Sequence, residues 1–359
     1  MRTTHTARTP RRARTARTTG TPRGTRTPRT TRASRTAAAL VVAAALAAGC
    51  SGSGGKDSED RTDKADRGAG VSTPRLKIAM ITHSGEGDTF WDIVRNGAKQ
   101  AAAKDNVEFL YSNDKEAKGQ AELVQAAIDK KVDGIVVTLA KPQAMQAVLG
   151  KAKAAGIPVV SINSGAEFSP KYGALSHIGQ EEAVAGEAVG TRLAQEGRKK
   201  TLCVIHEQGN VSLEQRCAGV KKTFQGTVEN LNVDGTNAPD SQSSIEAKLQ
   251  ADKSIDAIVA LGAPIAALAV KAKDDAGSEA EIATFDLNAE VVRRLKAKEV
   301  AFAVDQQPYL QGYLAVDELW LYKTNGNVLG GGRPVLTGPA LVTGKDVPQL
   351  EKYTARGTR

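Results

Sequence analysis

Short apolar runs alternate along the chain with segments whose apolar residues recur every three or four positions. Leu76–Ile81 (LKIAMI) reads as a buried strand, and 91–103, with Ile93, Val94, Gly97, Ala98 and Ala101 on one side, reads as a helix. The pair of patterns then repeats: strand 107–111, helix 121–130, strand 134–139, a helix opened by Pro142 and stopped by Gly156, and strand 157–162. A second series comes next, with strands at 201–206, 229–233, 256–261, 281–285 and 300–304. Its helices fall at 181–196, 213–226, 243–251, 264–275 and 288–297, succeeded by a long one near 308–324 and the glycine turn 330–332. The strand runs are nearly continuous rather than alternating, as parallel strands covered on both faces require. The pattern predicts an α/β protein of two doubly wound units. In such sheets ligands bind outside the carboxyl ends of the strands. Two facing units would gather both sets of strand ends around one cleft.

The first 75 residues obey different rules. Residues 1–36 are Arg, Thr, Pro and Ala with almost nothing apolar, and 37–49 form a 13-residue apolar run ending at Cys50. A charged stretch, a short apolar core and small residues describe a signal peptide over 1–49. Ala47-Ala48-Gly49-Cys50 resembles the bacterial lipobox, with Ala47 where Leu is usual, so Cys50 is the expected lipidation site. The alternative is a plain signal and an unrelated cysteine. Residues 50–75 are otherwise Gly, Ser and charge, a composition that cannot bury a core and reads as a linker. A doubly acylated Cys50 would tether the α/β body to a membrane surface.

Locating the charge changes its meaning. The 359-residue chain carries a formal net charge of +9, but 11 arginines and no acid lie in residues 1–49. Of the 49 basic residues, 38 remain beyond that segment against 40 acidic ones, which removes the electrostatic support for nucleic-acid binding. Three cysteines exclude a disulfide-dense scaffold. No apolar run reaches the ~20 residues of a membrane-spanning helix, which excludes a multi-span channel or permease.

Candidate chemistry therefore sits just after the strands. Gly85-x-Gly87 lacks the third glycine of a dinucleotide fingerprint. Phe90-Trp91 is more informative, because aromatics make up only 4% of the chain. Aromatic faces stack on the C–H faces of sugars, although Trp91 as core and Phe90 as a helix staple is the plainer alternative. Asn163-Ser164, Glu207 to Asn210, Arg216, Asp286 and Asp305-Gln306 come after other strands. Amides, carboxylates and guanidinium suit a hydroxyl-rich ligand. Each alone could be a helix cap, and Asp286 especially so. The four histidines have no zinc spacing, and His206 is open to either a ligand contact or a structural role. No nucleophile elbow, Walker loop or EF-hand appears, so no catalytic residue, metal or cofactor is expected. Outside the cytosol, Cys203 and Cys217 are expected to form a disulfide closing a 15-residue loop; the alternative is two buried thiols.

Phe90-Trp91-x-x-x-x-x-Gly97-Ala98, Asp133-Gly134-Ile135, Gly156-Ile157-Pro158-Val159-Val160, Phe285-Asp286 and Gln306-x-Pro308-x-x-x-Gly312 occur in this order. Over about residues 76–345 the chain resembles the type I periplasmic sugar-binding proteins of ABC importers, the ribose, galactose and xylose class. The resemblance implies two Rossmann-like lobes joined by a three-segment hinge. One lobe would be 76–178 plus 307–334 and the other 179–306 plus 335–348, with 349–359 as a tail. It implies ligand contacts from Phe90, Trp91, Asn163, Ser164, Arg216, Gly262, Asp286 and Gln306, with Glu207 and Asp305 as further candidates at strand ends. Asn163 stands where the family usually has Asp, and Ser164 where the ribose class has Arg. Gly262 stands where Asn is common, and Ser241 where the ribose class has a third aromatic. These departures leave the sugar unidentified. The expected function is capture of a monosaccharide or related polyol outside the cytoplasm and delivery to an ABC permease, with no nucleic-acid partner. A sensory protein presenting ligand to a receptor kinase is the first alternative and an α/β enzyme the second. A LacI-type repressor would need an N-terminal helix-turn-helix, where this chain has a signal and linker.

Overall fold

The computed structural model describes residues 74–85 and 88–359. The signal peptide, Cys50 and nearly all of the linker lie outside the described residues.

The first lobe runs β1 (Lys77–Thr82), α1 (Thr89–Lys104), β2 (Glu108–Asn113), α2 (Ala117–Asp129), β3 (Gly134–Thr138), α3 (Pro142–Ala154), β4 (Val159–Asn163) and β5 (His177–Gly179). The second runs α4 (Glu182–Gln195), β6 (Lys200–Ile205), α5 (Val211–Thr223), β7 (Thr227–Asn232), α6 (Ala238–Ala251), β8 (Ala257–Ala260), α7 (Ala263–Asp275), β9 (Glu281–Phe285), α8 (Ala289–Ala297) and β10 (Phe302–Asp305). Then come α9 (Pro308–Asn325), β11 (Val335–Leu336), β12 (Ala340–Thr343) and α10 (Val347–Ala355).

Each lobe holds a six-stranded sheet, in the orders β11-β5-β4-β3-β1-β2 and β12-β10-β9-β8-β6-β7. All pairings are parallel except β10 with β12. Strands such as β3 (GIVVT) and β8 (AIVA) are buried along their whole length, and their alternate side chains enter separate core layers. In the first lobe Ile78, Met80 and Val136 pack with α1 and α9, while Ala79, Ile81 and Val137 face α2 and α3. Burial on both faces is why the runs read as continuous.

α1 and α9 cross in direct backbone contact. A Cβ on Gly97 would overlap the Tyr309 carbonyl, and one on Gly312 would overlap that of Val94. These two glycines of the sequence motif serve helix packing.

The chain passes between the lobes at 179–182, 305–308 and 336–340. The segments are bonded to one another: Thr337 Oγ1 donates to the Gly179 carbonyl at 3.2 Å, and Gln307 Nε2 to the Thr337 carbonyl at 2.7 Å. Two details differ from the lobe boundaries that the family resemblance implies. Val335–Leu336 pairs with β5 in the first sheet, so the last crossing comes after it. Residues 347–355, expected to begin a tail at 349, form α10, which packs on α8. Cys203 of β6 and Cys217 of α5 are joined, with Cα atoms 6.0 Å apart. No described helix is long and apolar enough to cross a membrane.

Candidate functional site

The two sheets share the strand order 2-1-3-4-5 from their outer edge, which places a topological switch between β1 and β3 and another between β6 and β8. At a switch, the connections leave in opposite directions and open a crevice at the strand ends. The two crevices face each other across a cavity of about 910 Å³. Phe90, Trp91, Asn163, Ser164, Glu207, Arg216, Gly262, Asp286 and Gln306 all line it.

From the first lobe, Asp88 caps α1 by accepting from the Phe90 amide at 3.0 Å. The cap aims the first turn at the cleft. Phe90 and Trp91 meet edge to face with ring centroids 5.0 Å apart, and both also belong to the core beneath. Burial pushes the Asp88 carboxyl up to about 6, against the bond from the Phe90 amide. Asn163 ends β4 with φ 62°, a left-handed conformation that Asn tolerates better than most residues. Its Nδ2 donates to Gln306 Oε1 at 3.2 Å, and its Oδ1 accepts from Ser164 Oγ at 2.7 Å.

From the second lobe, Asp286 comes directly after β9, also left-handed at φ 69°. It accepts from Gln306 Nε2 at 2.6 Å. The cap of α8 is instead Asn288, whose Oδ1 accepts from the Val291 amide at 2.8 Å. Burial raises Asp286 to about 7, with Arg216 and the Gln306 bond pulling the other way. Arg216 is itself buried and largely committed. Its Nε and Nη2 donate to Glu182 at 2.6 and 3.1 Å, its Nη1 donates to the Leu261 carbonyl at 3.0 Å, and it lies 4.6 Å from the centroid of Phe285. Three of its five N–H groups are thereby used, and two remain for a ligand.

The lobes touch through a second polar group. His83 Nδ1 pairs with Thr138 Oγ1 at 2.8 Å, and its Nε2 lies 3.3 Å from Asn210 Nδ2. Glu207 accepts from Asn210 at 2.9 Å and pairs with Lys141 at 3.2 Å. The Val211 amide donates to the Ala140 carbonyl at 3.1 Å across the cleft. Glu207, a candidate ligand group, thus also bridges the lobes.

Asp305 does not reach the cavity. Its carboxylate is fully buried and bonds Arg359 Nε at 2.5 Å and the Gln307 amide at 2.8 Å. The strand-end rule placed it just after a strand at 300–304; it is the last residue of β10, and Arg359 occupies its polar edge. Asp88, His83 and Lys141 line the cavity without having been singled out as ligand candidates. Asp88 carried a signal, since an Asp before Thr-Phe-Trp marks a helix start at the cleft. His83 and Lys141 carried none beyond their places after β1 and β3.

Residues 78–327 match the family model described as periplasmic binding protein domain. A carbohydrate transporter from Acidothermus cellulolyticus, solved in complex with myo-inositol, is 51% identical. That match covers 80% of this chain and 100% of the solved one, with a TM-score of 0.79. A solute-binding protein of an ABC transporter from Burkholderia graminis, solved with D-arabinose, shares the fold at 24% identity and a TM-score of 0.69. That match covers 77% of this chain and 98% of the other. A xylose/arabinose-binding protein from Sulfolobus acidocaldarius is 25% identical over 273 residues, covering 69% of this chain and 66% of the relative's length.

Proposed function

This chain belongs to the periplasmic binding protein domain family, and we propose that it captures a neutral cyclic polyol or monosaccharide between its lobes and passes it to an ABC permease. One observation carries the neutral-ligand reading: six carboxylates line the cleft against three cationic groups, and two of those three are paired with acids. Arg216 is bound to Glu182, and Lys141 to Glu207. The third, Lys115, lies 3.4 Å from Thr236 Oγ1 in a lining where acids outnumber cations, which disfavours a carboxylate or phosphate ligand. Asp88, Asp286, Gln306 and Asn163 instead offer directional partners for hydroxyls, beside the Phe90-Trp91 pair. The likeness to a half-identical protein holding myo-inositol supports a ring bearing several hydroxyls. Binding rather than catalysis is the role, and Cys50, lipidated, holds the protein at the outer face of the membrane.

Thermal shift and calorimetry with myo-inositol, D-xylose, D-arabinose, D-galactose and a set of amino acids test the reading. A polyol or sugar at a hundred times its Kd should add about 2.7 kcal/mol of apparent stability. Stabilisation by amino acids alone, or by nothing in the set, refutes it. For the anchor, Cys50→Ser should move the protein from the membrane to the soluble or secreted fraction; unchanged retention refutes that part alone.

A further inference from the structure

Three histidines lie among the described residues, and two are held by side-chain hydrogen bonds. His83 Nδ1 pairs with Thr138, and His177 Nδ1 lies 2.8 Å from Ser161 Oγ. His206 has no such bond. Its Nδ1 is buried with no hydrogen-bond partner among the described residues. His177 Nε2 is bare as well, but of these two rings only His206 lines the binding cleft, where an unpaired nitrogen calls for an explanation.

The position of the ring supplies one. His206 comes directly after β6, and Gly262 two residues after β8, its neighbour in the sheet. Both residues therefore stand at the switch of the second sheet, and both line the cavity. The imidazole is seated between two glycines. A Cβ on Gly262 would lie 3.1 Å from Cε1 and 3.5 Å from Nε2, and one on Gly235 would lie 3.2 Å from Cδ2. The Gly235 amide also donates to the His206 carbonyl at 3.0 Å, which fixes the backbone beneath the ring. A larger side chain at 262 and the ring at 206 would compete for the same volume. Burial moves His206 down to about 4, with Glu207 opposing and Arg216 and His83 reinforcing the shift, so the ring is neutral near pH 7. A neutral imidazole carries one N–H and one bare nitrogen, and a hydroxyl both donates and accepts.

We propose that His206 is a specificity-determining contact, its ring nitrogen bonding one ligand hydroxyl from a seat that Gly235 and Gly262 keep open. The inference rests on the polyol reading of the cleft and names a group that this reading does not require. Gly262 thereby serves the site by its lack of a side chain.

Calorimetry tests it with myo-inositol, its monodeoxy analogues, D-galactose and D-xylose, on wild type, His206→Phe, His206→Asn and Gly262→Ala. His206→Phe keeps a ring between the glycines and removes both nitrogens. It should weaken the tightest ligand on the order of ten- to a hundredfold, the cost of leaving one hydroxyl unpaired. The loss should vanish for the one analogue that lacks that hydroxyl, a non-additivity that a purely structural role would not produce. Gly262→Ala should displace the ring and weaken the same ligand in the same pattern. His206→Asn and Gly262→Ala decide the matter if His206→Phe does not fold, as judged by far-UV circular dichroism. Unchanged affinity in the folded variants, or an equal loss for every analogue, overturns the inference and leaves the polyol reading intact. A wild type that binds no polyol or sugar overturns both.

Discussion

Arg216→Met should unfold the second lobe before the first. Arg216 and Glu182 are both buried, joined by two hydrogen bonds of 2.6 and 3.1 Å. Methionine can trace the arginine stem, so the main loss is the charge. Removing one member of a buried pair leaves the other uncompensated, at a typical cost of about 3–5 kcal/mol. Glu182 keeps one donor, Gln180 Nε2 at 2.8 Å, which argues for the lower end. With a urea dependence of about 1–3 kcal/mol per molar, a 3 kcal/mol loss moves the midpoint down by roughly 1–3 M. The two signals can be separated because both tryptophans, Trp91 and Trp320, belong to the first lobe. Tryptophan emission therefore reports on that lobe, while far-UV circular dichroism reports on both. In ligand-free Arg216→Met the dichroism should fall well ahead of the emission, and Glu182→Gln in the same background should restore part of the loss. Midpoints within about 0.3 M of wild type by both signals would refute the view that this pair holds the second lobe together.

Gly97→Ala should destabilise the first lobe by about 1–3 kcal/mol or more, because α1 and α9 must separate to admit one methyl group; tryptophan-monitored urea unfolding checks this. Asp286, raised to about 7 by burial, holds a proton in the folded protein at pH values where the unfolded chain has lost it. Its contribution to stability is thus full below the ordinary carboxylate range and lost as pH rises through about 7. Ligand-free Asp286→Asn should exceed wild type in stability at pH 8, and the difference should shrink steadily toward pH 5; a difference independent of pH contradicts the assignment. Mass spectrometry of unreduced, alkylated protein should find Cys203 and Cys217 unlabelled. Their reduction should cost up to ~3 kcal/mol on the loop-entropy model, since the bonded residues are 14 apart in sequence; labelling of both thiols in exported protein would defeat this.

The alternation of strands and helices, and the edge where ligand groups gather, could be read from residues alone. A parallel strand buried on both faces is apolar along its middle apart from small hydroxyl residues, so its carboxyl end is marked by an amide or carboxylate side chain, as at Asn163 and Asp286. Parallel strands also put those ends on one edge, which is why separate segments could be assigned to one site before any contact was known. Elements without a run of their own were invisible. β5, β11 and β12 are two to four residues long, and their pairing depends on partners far along the chain. Asp305 looked like the other strand-end acids, and only folding brought Arg359, 54 residues away, onto its carboxylate. Gly235 and Gly262, both distant from His206 in sequence, make the seat for its ring. Local pattern records how deeply a residue is buried, because burial selects residue type position by position. Which group fills the space beside it is set by contacts between distant segments, and those exist only once the sheets have formed.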